Sequence, residues 1–254
     1  MTGAFAQRSI QIAFLGVVGG AWWLLTSSHA VSPLFLPPPE AVYTAVSRLV
    51  VAAPFWSAVG VTLATIAKAY GIAVVAGVFA GWLVTRSKFW TEVFEPIIAG
   101  LFTIPITLFF PMFILFFGIG AGSKVAYGAV YGFFPIALNT IAGLGRADER
   151  YLRAARSMGA SSLETFRHVL LPSAFPVLVT GLRVGFFICF ASVLGGEALS
   201  SIAGVGRNIA LAAELMDSAR MYAWIVVVIC FAVSLNFVMT SIENRATASE
   251  AARR

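Results

Sequence analysis

Long apolar segments separated by short polar stretches are the main feature of the chain. Six such segments occupy residues 10–26, 56–84, 96–118, 124–144, 173–197 and 222–242. Because about 20 apolar residues are needed for a helix to cross a bilayer, each segment predicts one transmembrane helix. Strands of a membrane barrel would instead alternate over about 10 residues, unlike these continuous runs. The pattern predicts an all-α, polytopic membrane protein with six spans, in a single domain over residues 1–254.

The first apolar segment has two interpretations. Arg8 precedes a short apolar run, and residues 28–30 resemble the small-residue cleavage site of a signal peptide. Trp22 and Trp23, however, lie where an aromatic belt anchors a permanent span at the membrane surface. We therefore expect a retained helix, with a cleaved leader as the alternative.

The polar stretch after this segment is rich in proline. Pro33 and the three prolines at residues 37–39 prevent a helix from continuing through it. Residues 40–53 then place several apolar side chains on one helical face. This pattern predicts a short helix lying along the membrane surface, with an ordinary loop as the alternative.

Composition supports a membrane location. The chain is 59% hydrophobic and 11% charged, whereas soluble domains are roughly 45–50% apolar and about 25% charged. These values exclude a water-soluble enzyme and a disordered chain. Cys189 and Cys230 lie in separate apolar segments, so we expect packed side chains and neither a disulfide nor a metal site.

The basic residues are distributed unequally between the two sides of the predicted bundle. With the N-terminus inside, the inner side carries eleven of the 17, namely Arg8, Arg86, Lys88, Arg146, Arg150, Arg153, Arg156, Arg167, Arg245, Arg253 and Arg254. The outer side carries Arg48, Lys124, Arg207 and Arg220. Since cytoplasmic loops are enriched in Lys and Arg, both termini are expected in the cytoplasm, with the protein in the cell (inner) membrane. The net charge of +6 then reflects topology, and we expect no binding to nucleic acid.

Small residues recur at a spacing of four, which lets two helices approach closely in a membrane. The pairs are Gly16 with Gly20, Gly77 with Gly81, and Gly181 with Gly185. Such pairs predict tight helix packing and carry no information about function.

The loop over residues 145–172 is the least hydrophobic part of the chain. Asp148 is suited to cap a first short helix, Gly159 to end it, and Ser161 or Ser162 to cap a second. The first helix has an apolar side formed by Tyr151, Leu152, Ala155 and Met158, and a basic side formed by Arg150, Arg153 and Arg156. This pattern favours a docking surface for a partner over the alternative, a solvated amphipathic loop.

The spacing within this loop resembles the EAA loop of the membrane subunits of binding-protein-dependent ABC importers. Ala154 and Ala155 are followed by Gly159 and, after nine residues, by Val-Leu-Leu-Pro at residues 169–172. The family pattern has Glu at the position of Arg153 and Ile at the first of these four positions. Segments that resemble the nitrate, sulfonate and taurine branch follow in family order, at residues 32–39, 116–120, 139–140, 143–144, 180–183, 197 and 204–206.

The resemblance implies a type I ABC importer permease fold with a cytoplasmic coupling helix. The loop is then expected to dock on a cytoplasmic ATPase through Arg150, Leu152, Arg153, Ala154, Ala155, Arg156, Met158, Gly159, Leu171 and Pro172. ATP and Mg²⁺ are expected on that ATPase, and this chain itself is expected to bind no cofactor or metal and to catalyse no reaction. The implied assembly is a permease homodimer, two ATPase chains and an external solute-binding protein.

The transported solute is expected to be a small organic anion such as a sulfonate or taurine. Related permeases often carry further prolines and polar residues around residues 103–110, where this chain is mostly apolar. Nitrate, an aromatic carboxylate and a vitamin precursor therefore stay open as alternatives.

Three ionisable residues lie within or at the ends of the apolar segments. Because a charge in lipid is costly, Lys68 and Glu197 are expected to face the bundle interior or a pathway, whereas Arg183 is close enough to the inner end to snorkel. The further candidates for a pathway lining are Thr103, Thr107, Asn139 and Ser192. The alternatives are a Lys68 bound to Glu197 or to backbone carbonyls, and hydroxyls and amides that bond only between helices.

Two other functional classes predict features that differ from those of this sequence. A stand-alone secondary transporter or channel predicts an inverted repeat and more intramembrane charges than this chain has. A membrane enzyme predicts clustered His, Asp or Glu at one face, yet His29 and His168 are predicted on opposite sides. The importer permease is therefore the preferred prediction.

Overall fold

The computed structural model describes residues 2–145 and 149–251, which form helices and contain no strand. The helices are α1 (Thr2–Ser27), α2 (Pro39–Val50), α3 (Ala53–Val84), α4 (Lys88–Thr103), α5 (Phe110–Phe117), α6 (Ala121–Gly145), α7 (Glu149–Ser157), α8 (Ser162–Thr165), α9 (Leu171–Leu199), α10 (Val205–Glu214) and α11 (Ser218–Ala251). Within these two described ranges, five uninterrupted helical stretches are long and apolar enough to cross a membrane, and the count is six if one bent helix pair forms a single span. The all-α membrane fold predicted from the pattern is confirmed.

The third apolar segment is broken, which corrects the single helix predicted over residues 96–118. The α4 helix ends at Thr103, a short 3-10 turn covers Ile106–Phe109, and α5 leaves at an angle of 73° to α4. Pro105 explains the break because a residue before proline is pushed out of the helical region, and Ile104 is extended with ψ at 131°. The pair is either a broken span or a re-entrant loop.

The α6 helix lies at the centre of the bundle, packed along both α3 and α9. Glycines make these approaches close. A Cβ built at Gly81 of α3 would lie 2.5 Å from Thr140 Cβ, and one at Gly185 of α9 would lie 2.5 Å from Ile136 Cγ1. Gly77 and Gly181 are equally crowded by α6, as the small-residue spacing predicts. Gly16 and Gly20 of α1, in contrast, have no neighbouring atom within 4 Å.

Two short helices cover one end of the bundle. The predicted surface helix is present as α2, which packs against α11, and α10 packs against α9, α11 and α3. An aromatic stack between Phe55 and Trp224, with ring centroids 5.4 Å apart, joins α3 to α11 at this end. The α1 helix is held through Trp22, whose Nε1 donates to the Pro37 carbonyl at 3.0 Å. Its apolar surface is otherwise exposed.

Candidate functional site

The first short helix of the 145–172 loop ends in a closed turn at Gly159. This residue has φ of +78°, a left-handed conformation that glycine adopts without strain. The Gly159 amide donates to the Arg156 carbonyl and the Ala160 amide to the Ala155 carbonyl, each at 3.0 Å. This pair of bonds forms a Schellman motif, which satisfies the last carbonyls of α7. Asp148, the predicted N-terminal cap, lies outside the described residues.

A capping box starts the second short helix directly after this turn. The Ser161 hydroxyl accepts a hydrogen bond from the Glu164 amide at 3.3 Å, and the Ser161 amide donates to Glu164 Oε2 at 2.8 Å. The Ser161 hydroxyl also donates to Oε2 at 2.7 Å. These hydrogen bonds hold the pKa of the Glu164 carboxyl below its usual value. Two caps placed back to back fix the angle between α7 and α8.

The helix that begins at Ser162 runs without interruption into the fifth apolar helix. A π-helical turn, Phe166–Leu170, links α8 to α9, and the Leu171 amide donates to the Phe166 carbonyl. Pro172, in the first turn of α9, has no amide proton to donate. Its position explains why the hydrogen bonds here span five residues, as in a π-helix, and not the four of a regular α-helix. The α8 helix, the π-helical turn and α9 thereby form one continuous helical segment.

The apolar surface of the loop differs from the predicted one. Ala155 is only 3% exposed because α7 packs against α8 and the π-helical turn, so its side chain is not available to a partner. Leu152 is half-buried, whereas Met158 is 80% exposed and Tyr151 62%. Leu163 of α8 is 74% exposed and was not predicted, because helical periodicity placed the apolar surface on α7 alone. The apolar surface therefore consists of Tyr151, Met158 and Leu163, and we call these three residues the loop surface.

The remaining predicted residues of the loop are exposed around the loop surface. They are Arg150, Arg153, Ala154, Arg156, Leu171 and Pro172. Exposed apolar side chains beside three arginines suit a partner with an apolar groove and acidic or carbonyl acceptors at its rim.

The residues predicted to line a pathway are not joined to one another. The hydroxyl of Thr103 donates to the Gly100 carbonyl at 2.7 Å. The side-chain amide of Asn139 donates to the Pro135 carbonyl at 2.8 Å, and each bond lies within a single helix. Thr107 bonds instead to the Tyr127 hydroxyl at 3.0 Å. Ser192 is buried on α9, and Lys68 is exposed. Hydrogen bonds within one chain thus account for the polar groups of Thr103, Thr107 and Asn139.

Glu197 is buried at the end of α9 and holds the start of α10. Its side chain is 2% exposed and accepts a hydrogen bond from the Gly206 amide at 3.0 Å. Thr62 of α3 donates to the same carboxylate and accepts from the Val205 amide at 2.8 Å. The suggested bond from Lys68 to Glu197 is therefore wrong, because Thr62 and the α10 amides occupy the carboxylate. We call Thr62, Glu197, Val205 and Gly206 the outer clamp.

Lys124 lies next to this clamp and was not predicted to be buried. Its side chain is 1% exposed, and its Nζ donates to the carbonyls of Ile119 and Gly120 at the turn after α5. Gly196 of α9 leaves room for it, since a Cβ built there would lie 3.3 Å from Lys124 Cγ. Lys124 and Glu197 together connect the turn after α5, in the broken third apolar segment, with α9 and α10.

Arg183, in the first half of α9, is paired, which differs from the snorkelling predicted for it. Its Nη1 lies 2.8 Å from Glu243 Oε2 and its Nη2 2.7 Å from Asn236 Oδ1, both on α11. Thr180 donates to the second oxygen of Glu243 at 3.1 Å. This network fixes α11 against α9.

Comparison with known sequences gives one family for most of the chain. The family described as "Binding-protein-dependent transport system inner membrane component" matches residues 73–248. The taurine transport system permease protein of Escherichia coli is 29% identical over 248 residues, covering 95% of this chain and 90% of that protein. The formylaminopyrimidine transport permease protein of Halalkalibacterium halodurans is 30% identical over 188 residues, covering 72% and 73%.

A solved structure shares the fold. A chain of the inward-facing MetNI methionine ABC transporter superimposes with a TM-score of 0.67 over 76% of this chain and 96% of that one. Sequence identity between the two is 21%, so the match concerns the fold. It agrees with the type I permease architecture expected from the loop.

Proposed function

The chain belongs to the family of inner membrane components of binding-protein-dependent transport systems, in the nitrate, sulfonate and taurine branch, and we propose that it forms the pathway of an ATP-driven importer for a small organic anion. It is a multi-pass transport subunit of an ABC importer and not a catalytic enzyme. The single observation that carries the mechanism is the continuous helix from the capped turn at Ser161 into α9.

The loop between α6 and α9 couples the permease to the ATPase in this proposal. The loop surface enters a groove on the ATPase, and Arg150, Arg153 and Arg156 face acceptors around that groove. When the ATPase dimer closes on ATP and Mg²⁺, the loop moves as a unit because its two caps fix the angle between α7 and α8. The α9 helix moves with it, and the bundle changes from inward-facing to outward-facing.

The proposed orientation puts the loop in the cytoplasm and the outer clamp on the opposite side of the inner membrane. The α7 and α8 helices precede α9, and α10 follows it, so they lie at opposite ends of one spanning helix. The excess of Lys and Arg on the loop side supports this orientation and cytoplasmic termini.

The proposed assembly contains two permease copies, two ATPase chains and an external binding protein. Two copies give each ATPase an equivalent loop, since a closed dimer presents the same surface twice. The binding protein delivers the solute at the end covered by α2 and α10. Lys68 is proposed to attract the anion, because it is an exposed cation on a spanning helix; Thr103, Thr107, Asn139 and Ser192 are candidates for the lining.

Taurine or a similar sulfonate is the first candidate solute, on the basis of the Escherichia coli relative. A formylaminopyrimidine-like vitamin precursor is the second, because the Halalkalibacterium relative is of similar identity. Nitrate and aromatic carboxylates come after these two.

The test is uptake by proteoliposomes that contain the permease, the ATPase and the binding protein encoded beside it. We expect ATP-dependent accumulation of a sulfonate, with taurine, nitrate, a formylaminopyrimidine and benzoate as the compared solutes. Accumulation that persists without the ATPase would contradict the importer function and favour a stand-alone transporter. Accumulation of the formylaminopyrimidine alone would contradict only the proposed solute.

A further inference from the structure

A groove lies between the end of α3 and the first half of α4. Its volume is about 560 Å³, within the range of roughly 300–1,000 Å³ that is usual for small-molecule sites. Ala80, Leu83 and Val84 form the α3 wall, and the α4 wall is formed by Trp90, Phe94 and Ile98, which recur every four residues on one helical face. Leu83 is 50% exposed and Trp90 48%, so the groove is open along the side of the bundle.

One positive charge lies at the end of this apolar groove. Arg86 lines the groove, and its guanidinium carbon lies 4.5 Å from the ring centroid of Trp82. Within residues 2–145 and 149–251, no carboxylate forms an ion pair with Arg86. The neighbouring Lys88, in contrast, is paired with Glu92 at 3.8 Å and points to solvent. The groove therefore has a cation at one end and apolar walls along the rest of its length.

The surroundings of Arg86 hold it in this position. The Thr91 hydroxyl bonds to the carbonyls of Val84 and Ser87, each at 3.2 Å, which closes the turn between α3 and α4. Aromatic rings of Trp82, Phe89 and Trp90 lie around the turn, as expected of side chains at a membrane–water interface. The groove thus begins at the level of lipid headgroups and continues into the apolar part of the bundle.

We propose that this groove binds an anionic phospholipid. The phosphate lies on Arg86, whose planar fork of N–H donors matches phosphate oxygens. One acyl chain lies along Leu83, Phe94 and Ile98, covering apolar side chains that the protein leaves exposed. Basic pockets between membrane helices recognise anionic headgroups in this way. The lipid holds α4 against α3, where few direct contacts join the two helices.

The test measures the phospholipid that stays with the full-length permease when it is extracted from vesicles of equal parts phosphatidylglycerol and phosphatidylcholine. Mass spectrometry of the purified protein gives the ratio of the two lipids. We expect enrichment of phosphatidylglycerol, and a fall of roughly tenfold in Arg86→Gln because a charge-assisted hydrogen bond is lost. Lys88→Gln is the matched control, and its ratio is expected to equal that of the unchanged protein.

A second variant tests the apolar part of the site. Ala80→Trp fills the groove, so we expect it to lose both lipids, whereas Arg86→Gln loses only the preference for phosphatidylglycerol. Equal lipid ratios for Arg86→Gln and Lys88→Gln would overturn the proposal. So would efficient cross-linking of Leu83→Cys between two copies, in a Cys230→Ser chain, because the groove would then be a contact between subunits.

Discussion

Thr62 and Glu197 lie 135 residues apart in the sequence, yet the Thr62 hydroxyl is 2.8 Å from one Glu197 carboxylate oxygen and 2.9 Å from the other. The same hydroxyl oxygen accepts the Val205 amide proton, and the carboxylate accepts that of Gly206. One threonine and one glutamate thus bind the first amides of α10, which have no partner within their own helix. The position of α10 over the end of the bundle depends on this pair.

Replacing Glu197 with Ala is expected to destabilise the protein. The Thr62 hydroxyl proton and the Gly206 amide proton would be buried without an acceptor, at a cost of about 1–3 kcal/mol for each group. Thermal unfolding in detergent should show a lower midpoint, and proteolysis should cut the α10 region faster. Glu214→Gln is the control because Glu214 is 59% exposed in its pair with Arg207, and surface pairs contribute roughly 0–1 kcal/mol. Equal midpoints for the two variants would contradict the clamp.

Gly204→Ala is expected to damage the same region for a different reason. Gly204 has φ of +108°, which an L-residue rarely adopts, and a Cβ there would overlap the Glu197 carboxylate. Either α10 or Glu197 must then move, so the unfolding midpoint should fall. Gly195→Ala is the matched control, since no atom lies within 4 Å of its Cβ position and Ala favours a helix over Gly by about 1 kcal/mol. A midpoint for Gly204→Ala at or above that of Gly195→Ala would refute this prediction.

Two glycine substitutions in α3, one at the contact with α6 and one away from it, test the close approach of these helices. In Gly81→Ala the new methyl would lie 2.9 Å from the Ala137 carbonyl oxygen, a backbone atom that cannot turn aside. Overpacking of this kind costs roughly 1–3 kcal/mol, so we expect a lower unfolding midpoint. In Gly71→Ala, on the same helix, the methyl meets no atom within 4 Å, and stability should be unchanged or higher. The packing description fails if the two variants unfold alike.

Gly159→Val is expected to reduce ATP-dependent uptake while the protein still inserts in the membrane. A β-branched residue at φ of +78° is strained, so the closed turn between α7 and α8 would be lost. Ser157→Val, two residues earlier on the exposed surface of α7, introduces the same side chain without this strain. Uptake and ATPase co-purification should be close to normal in Ser157→Val and several-fold lower in Gly159→Val. Full uptake by Gly159→Val would mean that the turn does not transmit movement.

The fold was largely predictable because hydropathy reports burial in lipid, which is the main constraint on a membrane helix. The apolar segments at residues 124–144 and 173–197 correspond to α6 and α9 within a few residues. The break at Pro105 was missed because a run of apolar residues continues on both sides of it. A proline before a further helix was the available signal.

The site was predictable only where its pattern is local. The Gly159 turn and the Ser161 cap depend on neighbouring residues, so their spacing identified both. The bond from Thr62 to Glu197 joins α3 to α9, and nothing in either segment specifies the other. The burial of Ala155 and the exposure of Leu163 depend on how α7 folds back on α8, which helical periodicity alone does not determine.

Cross-linking from the loop surface to the ATPase tests the central claim most directly. Met158→Cys or Leu163→Cys, in a Cys230→Ser chain assembled with its ATPase, is labelled with benzophenone-4-maleimide and illuminated. The ketone inserts into nearby C–H bonds, so a covalent adduct with the ATPase chain should form without a cysteine on that chain. Phe35→Cys, 73% exposed on the segment before α2, should form none because it lies at the proposed outer end. Adducts from both loop positions and none from residue 35 are the predicted result. Absence of adducts from both loop positions, or an equal yield from Phe35→Cys, would contradict coupling through this loop.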